Sequence, residues 1–264
     1  MLQDEGGVAV VSGASSGFGE RIAQVLSRQG YSVVALARRA DRLKALAEQD
    51  PRGAILPVAV DVRDRKSLER ALGELPPDFR DISVLINNAG LSRGLSPVQS
   101  GSADCWREMI DTNISGLLNL SGLLLPQLVS RRSGHVVNIG SIAASYPYLG
   151  GNVYSATKAF VHQLSLNMRV DLHGTGVRVT CVSPGMAKTE FAEVRYDGDV
   201  ERANALYEGI EPLTADDVAE AVSWCLAQPT RVNVNMIELM PSDQHFGLGF
   251  AGSRSSRSGG ADAA

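Results

Sequence analysis

The sequence predicts an α/β protein: one doubly wound parallel sheet of about seven strands with helices on both faces. Three observations predict it. Short apolar runs alternate with helix-length segments, as in strands buried on both faces and joined by crossover helices. A glycine-rich turn follows the first of those runs. The length, 264 residues, suits a single domain with a large core.

The elements follow in order. Residues 8–12 read as a buried strand and 18–29 as a helix, ended by Gly30. Residues 32–37 are a second strand and 40–49 a helix. Residues 55–60 and 82–87 give the third and fourth strands. A long helix is expected over 103–131, with a bend near Pro126, which cannot complete the backbone ladder. Strand 136–140, a helix running to about His173, strand 176–182, a helix over 214–227 and a strand over 234–240 complete the pattern. Residues 1–246 are therefore expected to form one domain. From Gly247 onward the chain is Gly- and Ser-rich and is expected to be partly disordered, with Arg254 and Arg257 as solvated charges.

Composition excludes several classes of function. The chain is 44% hydrophobic and 20% charged, with a net charge of -4. That balance argues against a general nucleic-acid or anionic-membrane surface. The short acidic N-terminus has no basic region followed by an apolar one, so a cytoplasmic protein is expected. The most apolar stretch, 116–129, contains Asn119, Ser121 and Pro126 and reads as a buried helix, too short for a membrane span. Cys105, Cys181 and Cys225 are odd in number and widely spaced, which disfavours a disulfide framework. His135, His162, His173 and His245 lack metal-ligand spacing, so no metal is expected.

The chemistry-bearing residues come next. The turn after the first strand, Ser12 to Gly19, has glycines at Gly13, Gly17 and Gly19, with Ser15, Ser16 and Phe18 between them. Glycines permit a tight turn and close backbone approach to a pyrophosphate, and the following helix offers its N–H groups. The spacing is G-x-x-x-G-x-G rather than the common dinucleotide fingerprint. A generic strand–turn–helix loop is the alternative. The second strand ends in Arg38 and Arg39, where an NAD site usually places an acidic residue for the ribose hydroxyl. Guanidinium geometry suits a 2′-phosphate, so NADP(H) is the expected cofactor of a Rossmann-type site. Solvated surface arginines are the alternative. Asp61 and Val62, after the third strand, are placed to reach the adenine edge.

Tyr154 and Lys158 are four residues apart, one helical turn, so phenol and ammonium share a face. A lysine beside a tyrosine is expected to lower the phenol's pKa and make it a general acid–base group near neutrality. In a chain with six tyrosines such a pair arises by chance in roughly one sequence in ten, so its weight comes from its neighbours.

Those neighbours complete a resemblance. The glycine loop, Asn87-Asn88-Ala89-Gly90, Asn113, Ser141, Tyr154-x-x-x-Lys158 and Pro184-Gly185 resemble, in this order, a short-chain dehydrogenase/reductase over nearly the whole chain. The stretches 146–154, 156–160, 171–174, 189–191, 194–195 and 238–241 look like the NADP-dependent 3-hydroxy acid dehydrogenases. That group includes the serine 3-dehydrogenase and allo-threonine dehydrogenase types. Sulfoacetaldehyde reductases look similar. Ser183, Ser92 and Arg93 depart from the group's pattern and border the expected pocket, which leaves substrate identity open.

The resemblance implies roles. Tyr154 exchanges the substrate proton and Ser141 holds the substrate oxygen. Lys158 tunes Tyr154 and holds the nicotinamide ribose, and Asn113 anchors a water linking Lys158 to solvent. Asn88, Ala89 and Gly90 line the cofactor side, and Pro184, Gly185, Met186 and Thr189 hold the nicotinamide end. Ser141 could instead cap a turn, Asn113 could be a satisfied helix residue, and Asn87 and Asn88 could close a strand end. Arg195 is the first candidate for a carboxylate clamp and Arg93 the second; the alternative pairs Arg195 with Glu190 or Glu193. Residues 190–209 are expected to form a lid. Leu117, Leu120, Leu124, Phe160, Leu164 and Met168 form faces that, by the resemblance, pair across a homotetramer, or else face the sheet. Competing readings are a broad aldehyde or ketone reductase and a catalytically idle NADP-binding protein.

Overall fold

The computed structural model describes residues 6–246. Residues 1–5 and the tail from Gly247, with Arg254 and Arg257, lie outside the described residues.

Seven parallel strands form one sheet in the order β3-β2-β1-β4-β5-β6-β7. They are β1 (Val8–Ser12), β2 (Ser32–Ala37), β3 (Ile55–Ala59), β4 (Ile82–Asn87), β5 (Gly134–Ile139), β6 (Val177–Pro184) and β7 (Met236–Leu239). All five residues of β1 are buried, because helices cover both faces. Alternate side chains face opposite layers. Ala9 and Val11 join the core beneath α1 (Gly17–Arg28), α2 (Ala40–Glu48) and α9 (Ala215–Leu226), through Ile22, Leu26, Leu43, Leu46 and Val222. Val8 and Val10 join the core beneath α3 (Arg65–Gly73), α5 (Gly116–Arg131) and α6 (Asn152–Asp171), through Leu68, Leu120, Leu128, Val161 and Met168.

The long helix expected over 103–131 is divided. It consists of α4 (Ala103–Ile110), a π-helical turn (Asp111–Ser115) and α5. Gly116 N–H donates to the Asp111 carbonyl, five residues back. The irregularity therefore falls at Asn113, while α5 runs unbroken through Pro126. Helix α3 was not evident from periodicity because only Leu68 on it is buried. Its readable signal is Asp64, whose carboxylate accepts from the N–H groups of Lys66 and Ser67.

Helices α7 (Phe191–Arg195) and α8 (Val200–Ala205) occupy the stretch expected to be a lid. Leu117, Leu120, Leu124 and Met168 are buried in the core beneath α5 and α6. These residues face the sheet. The exposed apolar residues of these helices are Leu118, Leu166 and Val170.

Candidate active site

The strand order reverses between β1 and β4, and in open α/β sheets such a point leaves a crevice at the strands' carboxyl ends. A cleft of about 420 Å³ opens there. Its floor is the β1–α1 turn. Gly13 has φ +68 and Gly17 φ +56, left-handed values that glycine adopts without steric cost. Ser12 and Asn88 lock this turn to the end of β4. Ser12 Oγ accepts from the N–H groups of Asn88 and Ala89 at 3.0 and 3.1 Å. Asn88 Nδ2 donates to the Ser12 carbonyl at 2.9 Å.

The cleft brings together nearly every residue singled out in the sequence. Gly13, Ser15, Ser16, Gly17 and Phe18 line it, with Arg38, Arg39, Asp61 and Val62 at the end of β2 and β3. Asn88, Ala89, Gly90, Ser141, Tyr154 and Lys158 line its centre; Pro184, Gly185, Met186, Thr189 and Arg195 close it. Gly19 and Asn113 are not in its wall. Gly19 is buried in the first turn of α1. The Asn113 side chain is buried and consumed by protein contacts: Oδ1 accepts from Leu91 N–H at 2.8 Å, and Nδ2 donates to the Leu91 carbonyl and Thr157 Oγ1.

Tyr154 and Lys158 lie one turn apart on α6, both buried at the cleft. Burial pushes the Tyr154 phenol up. The charge of Arg195 and a hydrogen bond with Ser141 pull it down. Ser141 Oγ also accepts from Ala143 N–H at 3.1 Å, so it caps a turn while it faces the phenol. Burial brings Lys158 down to about 8. Its Nζ donates to the Ile139 carbonyl at 2.9 Å and lies 6.0 Å from the Tyr154 ring centroid. Lys158 was expected to lower the phenol's pKa. The cation that does so is Arg195, because the Lys158 ammonium is turned toward Ile139.

Arg195 is 8% exposed. Its Cζ lies 5.4 Å from the Tyr154 centroid, 5.1 Å from Phe191 and 5.8 Å from Tyr148. Its Nε donates to Ser92 Oγ at 3.1 Å and one terminal nitrogen to Tyr148 Oη at 3.2 Å. No carboxylate among the described residues pairs with it. Of the two alternative partners, Glu190 pairs instead with Arg39 and Arg42, and Glu193 makes no ion pair with Arg195. A buried cation without a counter-ion is costly, and the three ring faces offset only part of that cost. Arg93, the second candidate, is committed to Glu108 at 2.8 Å and to Asp197.

The short chain dehydrogenase family pattern matches residues 7–199. The chain belongs to the short chain dehydrogenase family. It is similar to the serine 3-dehydrogenase of Agrobacterium fabrum, 48% identical over 240 residues that cover 91% of this chain and 96% of the relative. It is equally similar to the NADP-dependent 3-hydroxy acid dehydrogenase YdfG of Salmonella typhi, 48% identical with 90% and 96% covered. A solved closed form of serine dehydrogenase complexed with NADP+ superposes with a TM-score of 0.88 at 46% identity, covering 90% of this chain and 96% of that one.

Several residues of this dehydrogenase's site escaped the sequence reading. Ser92 was noted as a departure but not as the hydroxyl that orients Arg195. Tyr148 belongs to a quoted stretch, but no spacing marks it as Arg195's partner. Arg42 reaches Glu190 across 148 residues of sequence, which no local pattern reveals. Gln244 accepts from Met186 N–H at 2.8 Å and so fixes the loop after β6. Among the described residues no helix is long and apolar enough to cross a membrane, and no cluster of His, Cys, Asp and Glu is arranged to hold a metal ion.

Proposed function

We propose that this dehydrogenase oxidises small 3-hydroxy acids of the serine type with NADP+, and reduces the matching carbonyl acids in reverse. The observation that carries this reading is Arg195: a buried, uncompensated guanidinium beside the phenol that would exchange the proton. A small substrate whose carboxylate stands one carbon beyond its carbinol carbon supplies the missing charge.

NADP(H) fits the residues present. At Gly13 a Cβ would lie 2.8 Å from Asn88 Nδ2 and 2.9 Å from Ala89 Cα, so only a bare backbone leaves the turn intact and the floor open. Arg39 Nε donates to Ser15 Oγ at 3.0 Å, and a terminal nitrogen donates to Ser16 Oγ at 2.6 Å. That group of donors suits a phosphate monoester. Gly13, Ser15, Ser16, Gly17, Phe18 and Gly19 would hold the pyrophosphate. Arg38 and Arg39 would hold the 2′-phosphate, and Asp61 and Val62 the adenine. Asn88, Ala89, Gly90, Lys158, Pro184, Gly185, Met186 and Thr189 would hold the nicotinamide half. When bound, the cofactor accepts or supplies the hydride.

The protein's own part is binding, orientation and proton transfer. Arg195 grips the substrate carboxylate. Ser141 hydrogen-bonds the substrate oxygen and steadies it as its charge changes. Tyr154 takes the hydroxyl proton in oxidation and returns it in reduction. Lys158 passes protons from the phenol toward solvent in oxidation and back in reduction. Because the Asn113 side chain is spoken for, a relay water would be held by its main-chain carbonyl in the π-helical turn. The stretch 190–209 closes over the substrate as a lid.

A second reading shares the same observation. Arg195 would also accept a sulfonate, so reduction of sulfoacetaldehyde is the competing activity. NADPH formation from NADP+ with serine isomers, 3-hydroxypropionate and 3-hydroxyisobutyrate, against NADPH consumption with sulfoacetaldehyde and a neutral aldehyde, separates them. Turnover confined to neutral carbonyls would sink the acid reading.

The same proposal includes a cytoplasmic homotetramer or homodimer. Its supports are the exposed Leu118, Leu166 and Val170 on α5 and α6 and three cysteines that form no disulfide. A monomer in sedimentation equilibrium would remove the assembly.

A further inference from the structure

The entrance to the cofactor cleft holds an ionic cluster of which the mechanism above uses only Arg39. Glu190, at the head of α7, places one carboxylate oxygen 2.9 Å from Arg39 and the other against Arg42. Arg39 in turn grips Ser15 and Ser16 of the glycine turn. Glu20 on α1 faces the same cluster: partial burial raises its carboxyl, and the Glu190 charge raises it further. The preceding residue, Thr189, packs over the turn, its Cβ 3.3 Å from where a Cβ on Gly17 would be.

We propose that Glu190 is an internal competitor for the 2′-phosphate of NADP(H), and that Arg42 joins Arg38 and Arg39 as a cation of that phosphate site. This rests on the NADP reading and names a specificity-determining pair within it. Two arginines and two glutamates balance the cluster. A phosphate monoester brings about 1.5 to 2 negative charges at neutral pH. It enters only as a carboxylate leaves. Glu190 is the one free to leave, because its side chain is 34% exposed and water can take it back. A ribose hydroxyl brings no charge and cannot displace it, so NAD(H) meets arginines already satisfied. Discrimination thus comes from an occupant that only a doubly charged group removes. Displacement also releases the head of α7, the helix that carries Arg195. Arrival of the right cofactor therefore frees the segment that closes on substrate.

Surface ion pairs are weak, so the competitor lowers affinity by only about three- to fivefold. Calorimetric titration of the full chain with 2′,5′-ADP and with 5′-AMP reads this directly. Glu190→Gln and Glu190→Ala are each expected to bind 2′,5′-ADP about three- to fivefold tighter, with 5′-AMP changed far less. Arg42→Ala is expected to weaken 2′,5′-ADP and to erase the gain from Glu190→Gln. In wild type, 2′,5′-ADP should speed amide hydrogen exchange over 191–195; in Glu190→Gln exchange should already be fast and unresponsive.

Equal or weaker binding of 2′,5′-ADP by both Glu190 variants would overturn the proposal while leaving the NADP reading intact. Protection of 191–195 by 2′,5′-ADP in wild type would overturn the release of α7. Wild type that binds 5′-AMP as tightly as 2′,5′-ADP has no phosphate site, which would remove the NADP reading and this proposal together.

Discussion

Replacing Arg195 by methionine keeps bulk over the three rings and deletes the charge, and its effects can be worked out separately for charged and neutral substrates. Take 3-hydroxybutyrate and its amide as a matched pair. The acid loses a charge-assisted contact worth about 1.5–3 kcal/mol. That corresponds to a fall of about 10- to 150-fold in kcat/KM. The amide never used that charge. It does feel the loss at Tyr154: Arg195 Cζ lies 5.4 Å from the ring centroid, and two charges about that far apart interact by about 3 kcal/mol at an effective dielectric of about 20. This is a ceiling of about 2 pKa units.

The sign follows from the structure. Burial holds the phenol above its ordinary value and Arg195 opposes that, so removing Arg195 raises the phenol further. Oxidation needs phenolate, so the rise in kcat/KM with pH moves to higher pH in the variant. For the amide the rate recovers on the alkaline plateau. For the acid it stays low there, because the clamp is gone. Steady-state NADPH formation across pH for both substrates and both enzymes is the assay. Equal plateau losses for acid and amide would refute the clamp, and an unmoved pH profile for the amide would refute the electrostatic coupling. Arg93→Met, whose parent charge is committed to Glu108 and Asp197, should leave the acid-to-amide ratio unchanged.

Two further outcomes follow from the buried pair on α6. Tyr154→Phe should abolish turnover, a loss of at least about 100-fold for a general acid–base group, while NADPH binding by fluorescence stays within twofold to threefold or so of wild type; loss of NADPH binding would point to a structural role. Lys158→Met should also abolish turnover yet stabilise the cofactor-free protein at neutral pH. Burial lowers this lysine from 10.5 to about 8, a cost of about 3 kcal/mol when it is charged; loss of its bond to Ile139 returns about 1 kcal/mol. The folded-state pKa is depressed, so wild-type stability rises with pH between about 8 and 10.5, and the variant should lack that rise. A lower Tm for Lys158→Met at neutral pH would refute the cost assigned to this buried charge.

The sheet was legible because parallel strands buried on both faces are apolar throughout; β1, β2 and β4 match the expected residues. Strand ends were less legible. Pairing with a neighbour, not side-chain pattern, extends β6 to Pro184 and starts β5 at Gly134. Helix α3 was missed because a helix with one buried residue has little periodic signal. The π-helical turn at Asn113 was invisible because its cause is tertiary, the bonds from Asn113 to Leu91 and Thr157.

In the site, the residues that face the cleft were legible because they fall in local motifs: the glycine turn, Ser141, and the Tyr154–Lys158 pair. What was not legible is how distant charges are shared. Arg195 reaches Ser92, and Glu190 reaches Arg39 and Arg42, across 103 and more residues of sequence. Spacing carries no information about such pairs. The expected action of Lys158 on Tyr154 failed for a related reason: proximity on one helical face did not fix which way the ammonium turned.

The most direct test of the central claim is the ratio of kcat/KM for a 3-hydroxy acid to that for its neutral amide, measured on the wild-type enzyme with NADP+ and repeated with NAD+. The expected ratio is about 10 or more, on an activity carried far better by NADP+. A ratio near unity, or NAD+ serving equally well, would contradict it.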